Sequence, residues 1–138
     1  MKRILCSACL LGVNCKYDGG NNANKKILDF AKKKNLIPIC PEQLGGLSTP
    51  RPRACREGKI VIDEFGKDVT SAFERGAKET LKIAKLFGAK TAILKQRSPS
   101  CGSGQIYADF NGKIIKGNGV TAGLLKKNGI RVISEEGL

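Results

Sequence analysis

Apolar and polar positions along the chain change period several times, dividing it into short strands and amphipathic helices. Residues 3–5 open an apolar run that stops in a glycine and cysteine loop, the form of a buried strand delivering residues to a site. Residues 22–34 place Ala23, Ile27, Phe30 and Ala31 at helical spacing behind an asparagine-rich start suited to capping, with lysine on the opposite face. Residues 36–39 form a second apolar run ending at Cys40, and the prolines and glycines that follow stop it. The stretch 41–58, PEQLGGLSTPRPRACREG, is so dense in breakers that it predicts a long irregular loop, and such loops in compact domains usually serve function. Residues 59–63 read as a strand paired through a turn near Gly66 and Lys67. Asp68 or Thr70 can cap a long helix to about Phe87, with Val69, Phe73, Ala77, Leu81, Ala84 and Leu86 as its apolar stripe and Gly88 as its stop. Residues 90–94 are the clearest central strand and run straight into KQRSPSCGSG. A hairpin turning at Asn111 and Gly112 is predicted over 106–116, then a short helix over 120–127 and a last strand over 131–134.

Strands alternating with helices imply an α/β sandwich, one domain over residues 1–138, with a mostly parallel central sheet flanked by helices. Ligands in open α/β sheets sit just beyond the carboxyl ends of strands, and Cys9, Cys40 and Cys101 follow three predicted strands. No stretch approaches the roughly 20 apolar residues of a membrane span. The first apolar run is too short and too cysteine-rich for a signal peptide, so a cytosolic protein with reduced thiols is expected.

The formal net charge is +13, from 25 basic and 12 acidic residues, which attracts polyanions. Lysine dominates, and the chain lacks tryptophan and any aromatic ladder, so the expectation is a solvated basic surface with weak attraction for nucleotides or RNA. Composition says more through its six cysteines and absent histidine, which leave thiolate as the strong soft metal donor. Such ligands select zinc, copper(I) or an iron-sulfur cluster. All six sit in turn-rich stretches, unlike idle cysteines buried in regular elements. Cys6-x-x-Cys9 alone could be a redox pair or half of a metal knuckle, but no second CxxC completes a ribbon. Three thiols from separate strand ends describe a cluster in a cleft better, and a cubane held by three cysteines leaves one iron open to substrate. Glu42, Ser98 and Ser100 are placed by sequence as the polar groups beside it. Arg51 and Arg53 could orient an anionic or planar ligand, and Tyr17 and Tyr107 could stack on a ring, although burial is the expected fate of both tyrosines. Asp18 is as readily a turn former as an acid.

Five blocks then become recognisable together: SACLLGVNCKYDG, CPEQLGGLSTPRP, DVTSAFERGA, AILKQRSPSCGSGQIY and GNGVTAGLLKKNGIRVISEE. In order, they resemble the signature blocks of a prokaryotic family, formerly a domain of unknown function, whose characterised members are thiouracil desulfidases. The resemblance implies a cytosolic enzyme with a [4Fe-4S] cluster held by three cysteines, here Cys9, Cys40 and Cys101, with Glu42 and Ser98 as the family's acid and serine. Cys15 becomes a near neighbour of the cluster. The implied reaction is non-redox: the sulfur of a thiolated pyrimidine binds the open iron, water attacks the adjacent carbon, and uracil and sulfide result. Cys6 departs from a usually aliphatic position, and Cys55 lies in a shortened stretch, so both are expected to be bystanders. Competing readings are sulfur removal or transfer on thiolated tRNA, and a non-catalytic zinc-binding or redox-sensing module.

Overall fold

A computed structural model describes residues 2–138. Strand β1 (Arg3–Ser7) runs into a 3-10 turn at Ala8–Leu11, which Gly12 ends in the left-handed region. Helix α1 (Lys25–Ala31) is shorter than its periodicity predicts, because the Asn24 side chain accepts from the Ile27 amide and fixes the start there. Strand β2 (Asn35–Ile39) ends at Cys40.

The stretch 41–58 corrects the expected loop. Pro41 starts a short helix, α2 (Pro41–Leu44), at the one helical position where its missing N–H costs nothing. Its last part is a strand, β3 (Ala54–Glu57), paired antiparallel with β4 (Ile60–Asp63). The strand partner of β4 thus precedes it, and the expected pairing through the turn at Gly66 and Lys67 is present as a single antiparallel bridge, Ile62 to Asp68, with Asp63 Oδ1 accepting from the Phe65 and Lys67 amides.

Helix α3 (Thr70–Phe87) and strand β5 (Thr91–Leu94) have the predicted extents, but the helix starts at Val69 without a side-chain cap, Thr70 Oγ1 instead accepting from the Val61 amide, and Leu86 of the expected stripe is exposed. The next hairpin pairs β6 (Gln105–Tyr107) with β7 (Ile114–Lys116), but residues 108–113 connect them, longer than the expected two-residue turn. Asp109 Oδ1 folds that connection by accepting from the Asn111 and Lys113 amides. Helix α4 (Val120–Lys127), β8 (Arg131–Ser134) and a 3-10 turn at Glu135–Gly137 complete the chain.

The central sheet has four parallel strands in the order β2-β1-β5-β8. Successive side chains alternate between its faces. Leu5, Ala92 and Leu94 join Ala84 of α3 and Leu125 of α4 in one apolar cluster, whereas Cys6 and Ile93 join Leu10 and Ile27 in another. Cys6 and Cys55 are thus small buried residues inside strands, 0% and 3% exposed, and not the loop residues their sequence surroundings suggested. Among the described residues no helix is long and apolar enough to cross a membrane.

Two features of this architecture build the site. The chain moves from β1 outward to β2 and later returns to the other side of β1 at β5, so the strand order reverses between β1 and β5, where the carboxyl ends leave a crevice. Helix α2 is seated on α3 by backbone contact: a Cβ on Gly45 would lie 2.0 Å from the Ala72 carbonyl oxygen, and one on Gly76 would lie 1.9 Å from that of Pro41. Gly45 of the CPEQLGG motif thereby fixes the helix that carries Glu42.

Candidate active site

At the reversal point lies a cleft of about 460 Å³, lined by Cys9, Cys15, Cys40, Cys101, Glu42 and Ser98 among others. Cys9 lies in the turn after β1, Cys40 follows β2, and Cys101 lies in the SPSC turn beyond β5. All six cysteines of the chain are unpaired.

Hydrogen bonding divides these thiols. Cys15 lies between Cys9 and Cys40, and its hydrogen bonds to them, with burial, push its own thiol up. Donation from Cys15 lowers Cys40 to about 6, helped by the Gln43 amide and the positive charge of Arg51. The same donor lowers Cys9 to about 7, helped by Asn22 and by Lys95. Cys15 has a single S–H, so at any instant it serves one of the two. Burial instead pushes Cys101 up to about 12, against the opposing effects of Ser7 and Ser100. Cys9 and Cys40 are therefore the more acidic cleft thiols, one at a time favoured as a thiolate, whereas Cys101 needs a nearby cation to release its proton.

The SPSC turn is braced from both sides. Ser98 Oγ accepts from the Cys101 amide at 2.7 Å, which leaves its O–H free to donate into the cleft. Ser7 Oγ donates to Cys101 Sγ at 3.8 Å and accepts from the Lys95 amide at 3.0 Å. Ser100 does not line the cleft; it is 1% exposed, and its hydroxyl bonds that of Thr121 in α4 at 2.8 Å. Its contribution to the site runs through Cys101.

Glu42 projects from α2 into the cleft with its carboxylate held by Arg51. Arg51 Nε donates to Glu42 Oε1 at 3.0 Å, while its other nitrogens bond the Ser48 and Cys15 carbonyls and Thr49 Oγ1. The Arg51 side chain is 6% exposed. Arg51, expected to hold a ligand, is committed to orienting Glu42 and the loop around Cys15.

Tyr107 and Tyr17 both line the cleft and remain partly exposed, so their rings are accessible. Arg53 stacks on Phe110 at 5.3 Å and pairs with Glu64 at 3.2 Å, linking the two hairpins along one wall. Asp18 accepts from the Gly20 amide, as a turn former does. Sequence reasoning missed Ser7, Asn22 and Lys95. The usable signal was position, since Ser7 ends β1 and Lys95 directly follows β5.

Three thiol sulfurs from adjacent strand ends, in a crevice on a chain without histidine, fit soft thiolate ligation by iron and sulfide. Among the described residues no three potential ligands are already gathered around one ion position.

Comparison with known proteins agrees with the geometry. The family description 2-thiouracil desulfurase matches residues 4–137. An uncharacterised protein of Bacillus subtilis, YbbK, is 46% identical over 98% of this chain and 97% of its own length. The solved structure of TudS, described as a [4Fe-4S]-dependent thiouracil desulfidase, superposes with a TM-score of 0.94 at 42% identity, covering 100% of this chain and 93% of that one. Sequence blocks, strand order and cleft all lead to the same assignment: the chain belongs to the 2-thiouracil desulfurase family.

Proposed function

We propose that this protein removes sulfur from thiolated pyrimidines such as thiouracil by a non-redox hydrolytic reaction, using a [4Fe-4S] cluster held by Cys9, Cys40 and Cys101. The observation that carries this reading is that those thiols, from three neighbouring strand ends, line one cleft together with Glu42 and Ser98. When bound, the cluster would supply Lewis acidity at an iron without a fourth cysteine, drawing electron density from the thiocarbonyl.

The chain's own residues supply the remaining chemistry. Glu42, held by Arg51, takes a proton from the water that attacks the thiocarbonyl carbon. Ser98 donates its free O–H to that water or to the ring. Tyr107 borders the planar substrate from the cleft wall. Carbon exchanges sulfur for oxygen, with one water consumed and hydrosulfide and a proton released, so no electron donor is required. Cys15 acts as a hydrogen-bond donor to its neighbours and not as a ligand. A cytosolic setting suits the free thiols.

The test is anaerobic reconstitution with iron and sulfide, followed by 2- or 4-thiouracil. Uracil and sulfide should form in equal amounts, and Glu42→Gln should lower kcat by about a hundredfold. Iron-loaded protein that yields no uracil would sink the activity. Metal analysis separates a zinc module: about four irons per chain supports the cluster, one zinc without iron the module. A thiolated tRNA substrate is a second reading, favoured by the +13 charge.

A further inference from the structure

Lys95 directly follows β5, between the end of β1 and the SPSC turn, and lines the same cleft as Cys9, Glu42 and Ser98. Its backbone is locked by the bond from its amide to Ser7 Oγ. Its ammonium bonds Glu135 Oε2 at 3.1 Å and the Gln96 carbonyl at 3.2 Å. An ammonium has three donors, so one N–H is left, and the side chain is 30% exposed.

The counter-charge sits behind it. Glu135 is 8% exposed and does not line the cleft; its other oxygen accepts from the Gln96 amide at 2.7 Å. The remaining cations along the cleft are engaged differently. Arg51 is buried against Glu42, Arg53 pairs with Glu64 and stacks on Phe110, and Lys16 lies over Tyr17 near Asp18.

Resting on the desulfidation reading above, we propose that Lys95 is a further catalytic residue, whose ammonium donates its remaining N–H to the anion formed as sulfur leaves carbon. Water oxygen bonds to the thiocarbonyl carbon, the C–S bond breaks, and its electron pair departs with sulfur. One water proton ends on that sulfur as hydrosulfide and the other on Glu42, so nothing is oxidised or reduced. A fixed cation aimed at developing charge is the usual large contributor to such steps.

The experiment uses the full chain, reconstituted anaerobically, as wild type, Lys95→Met, Lys95→Arg and Glu135→Gln. Iron content, hydrosulfide binding by absorption titration, and kcat and KM for 2-thiouracil are measured. Lys95→Met should keep its iron, bind hydrosulfide roughly tenfold more weakly, and lose about a hundredfold in kcat, with KM within about twofold. Lys95→Arg should recover most of both losses. Glu135→Gln keeps a partner for the ammonium but removes the counter-charge, so hydrosulfide should bind more tightly. Unchanged hydrosulfide affinity in Lys95→Met, iron loss in that variant, or weakened binding in Glu135→Gln would each overturn the proposal. If Lys95→Met does not fold, the sign of the Glu135→Gln effect decides. Iron-loaded wild type that leaves thiouracil intact would overturn the desulfidation reading instead, and the titrations would still decide whether Lys95 binds the anion.

Discussion

At the scale of single residues, Cys15 sets the behaviour of its neighbours, because one buried S–H stands between two sulfurs that gain from accepting it. Thiolates and not thiols react with alkylating agents. In the reduced, iron-free protein, Cys40, lowered to about 6, ionises first and takes the Cys15 S–H, and its charge then opposes ionisation of Cys9, lowered to about 7. Cys6 and Cys101, each pushed up to about 12 chiefly by burial, stay protonated. Iodoacetamide at pH 7 should therefore label Cys40 and Cys9 at least about a hundredfold faster than Cys6 and Cys101. The Cys40 rate should rise with pH through about 6 and then level off. Peptide mapping that finds all six thiols labelled alike would refute this division. Arg51 offers a second residue-scale test, since its side chain is buried while that of Glu42, 19% exposed, reaches the cleft. Removing Arg51 leaves a partly buried carboxylate without its partner, so Arg51→Ala should cost about 3 kcal/mol, or roughly 10 °C in Tm. Arg51→Lys keeps the charge but not the planar fork and should fall between the two. A melting curve for Arg51→Ala within 2 °C of wild type, taking roughly 4 °C per kcal/mol, would show that the pair is not holding the loop.

At the scale of elements, α2 carries Glu42 and starts beside Cys40, and the contact between Gly45 and Gly76 decides where it lies. An added methyl at Gly76 would meet the Pro41 carbonyl at 1.9 Å, and backbone cannot yield as a flexible side chain does. Gly76→Ala should lower stability by about 3 kcal/mol and reduce iron uptake on reconstitution. Gly123 in α4 is the control, because a methyl there meets only Asn118 Cβ at 3.7 Å, an ordinary contact. Gly123→Ala should be neutral or gain up to about 1 kcal/mol from helix propensity. Equal melting temperatures and iron contents for the two variants would refute the seating role of Gly76. The same element shows what the sequence could convey. Central strands, α4 and β8 were legible because their apolar runs are bounded by clear stops, and the three strand-end cysteines could be seen to share one edge of the sheet. Pro41 was read as a breaker although it also suits the first position of a helix. Gly45 of CPEQLGG packs against α3, a contact between segments distant in the chain that no local pattern reveals. Strand β3 was hidden for a different reason: its partner β4 lies just across the tight turn at Gly58, but the prolines that precede it mask the strand pattern.

At the scale of the whole molecule, the question is whether the +13 charge belongs to the reaction or only to the surface. The reacting groups are recessed: Cys101 is 6% exposed, and Arg53 and Phe110 join the two hairpins along the cleft wall. A base within RNA would have to leave its stack to reach them, at a cost of a few kcal/mol. A free thiolated pyrimidine meets no such barrier, and its neutral ring releases no counterions on entry. Binding to RNA through phosphates would instead weaken steeply with salt, by about a thousandfold between 50 and 200 mM for six phosphate contacts. Turnover of 2-thiouracil should therefore change by less than about twofold over that salt range. Any tRNA retained by the protein at 50 mM should be released by 200 mM, and thiolated tRNA should yield no sulfide at either concentration. Sulfide released from thiolated tRNA at low salt and lost at high salt would reverse the conclusion, making the basic surface part of substrate recognition and the free base a surrogate for a nucleotide held by its backbone.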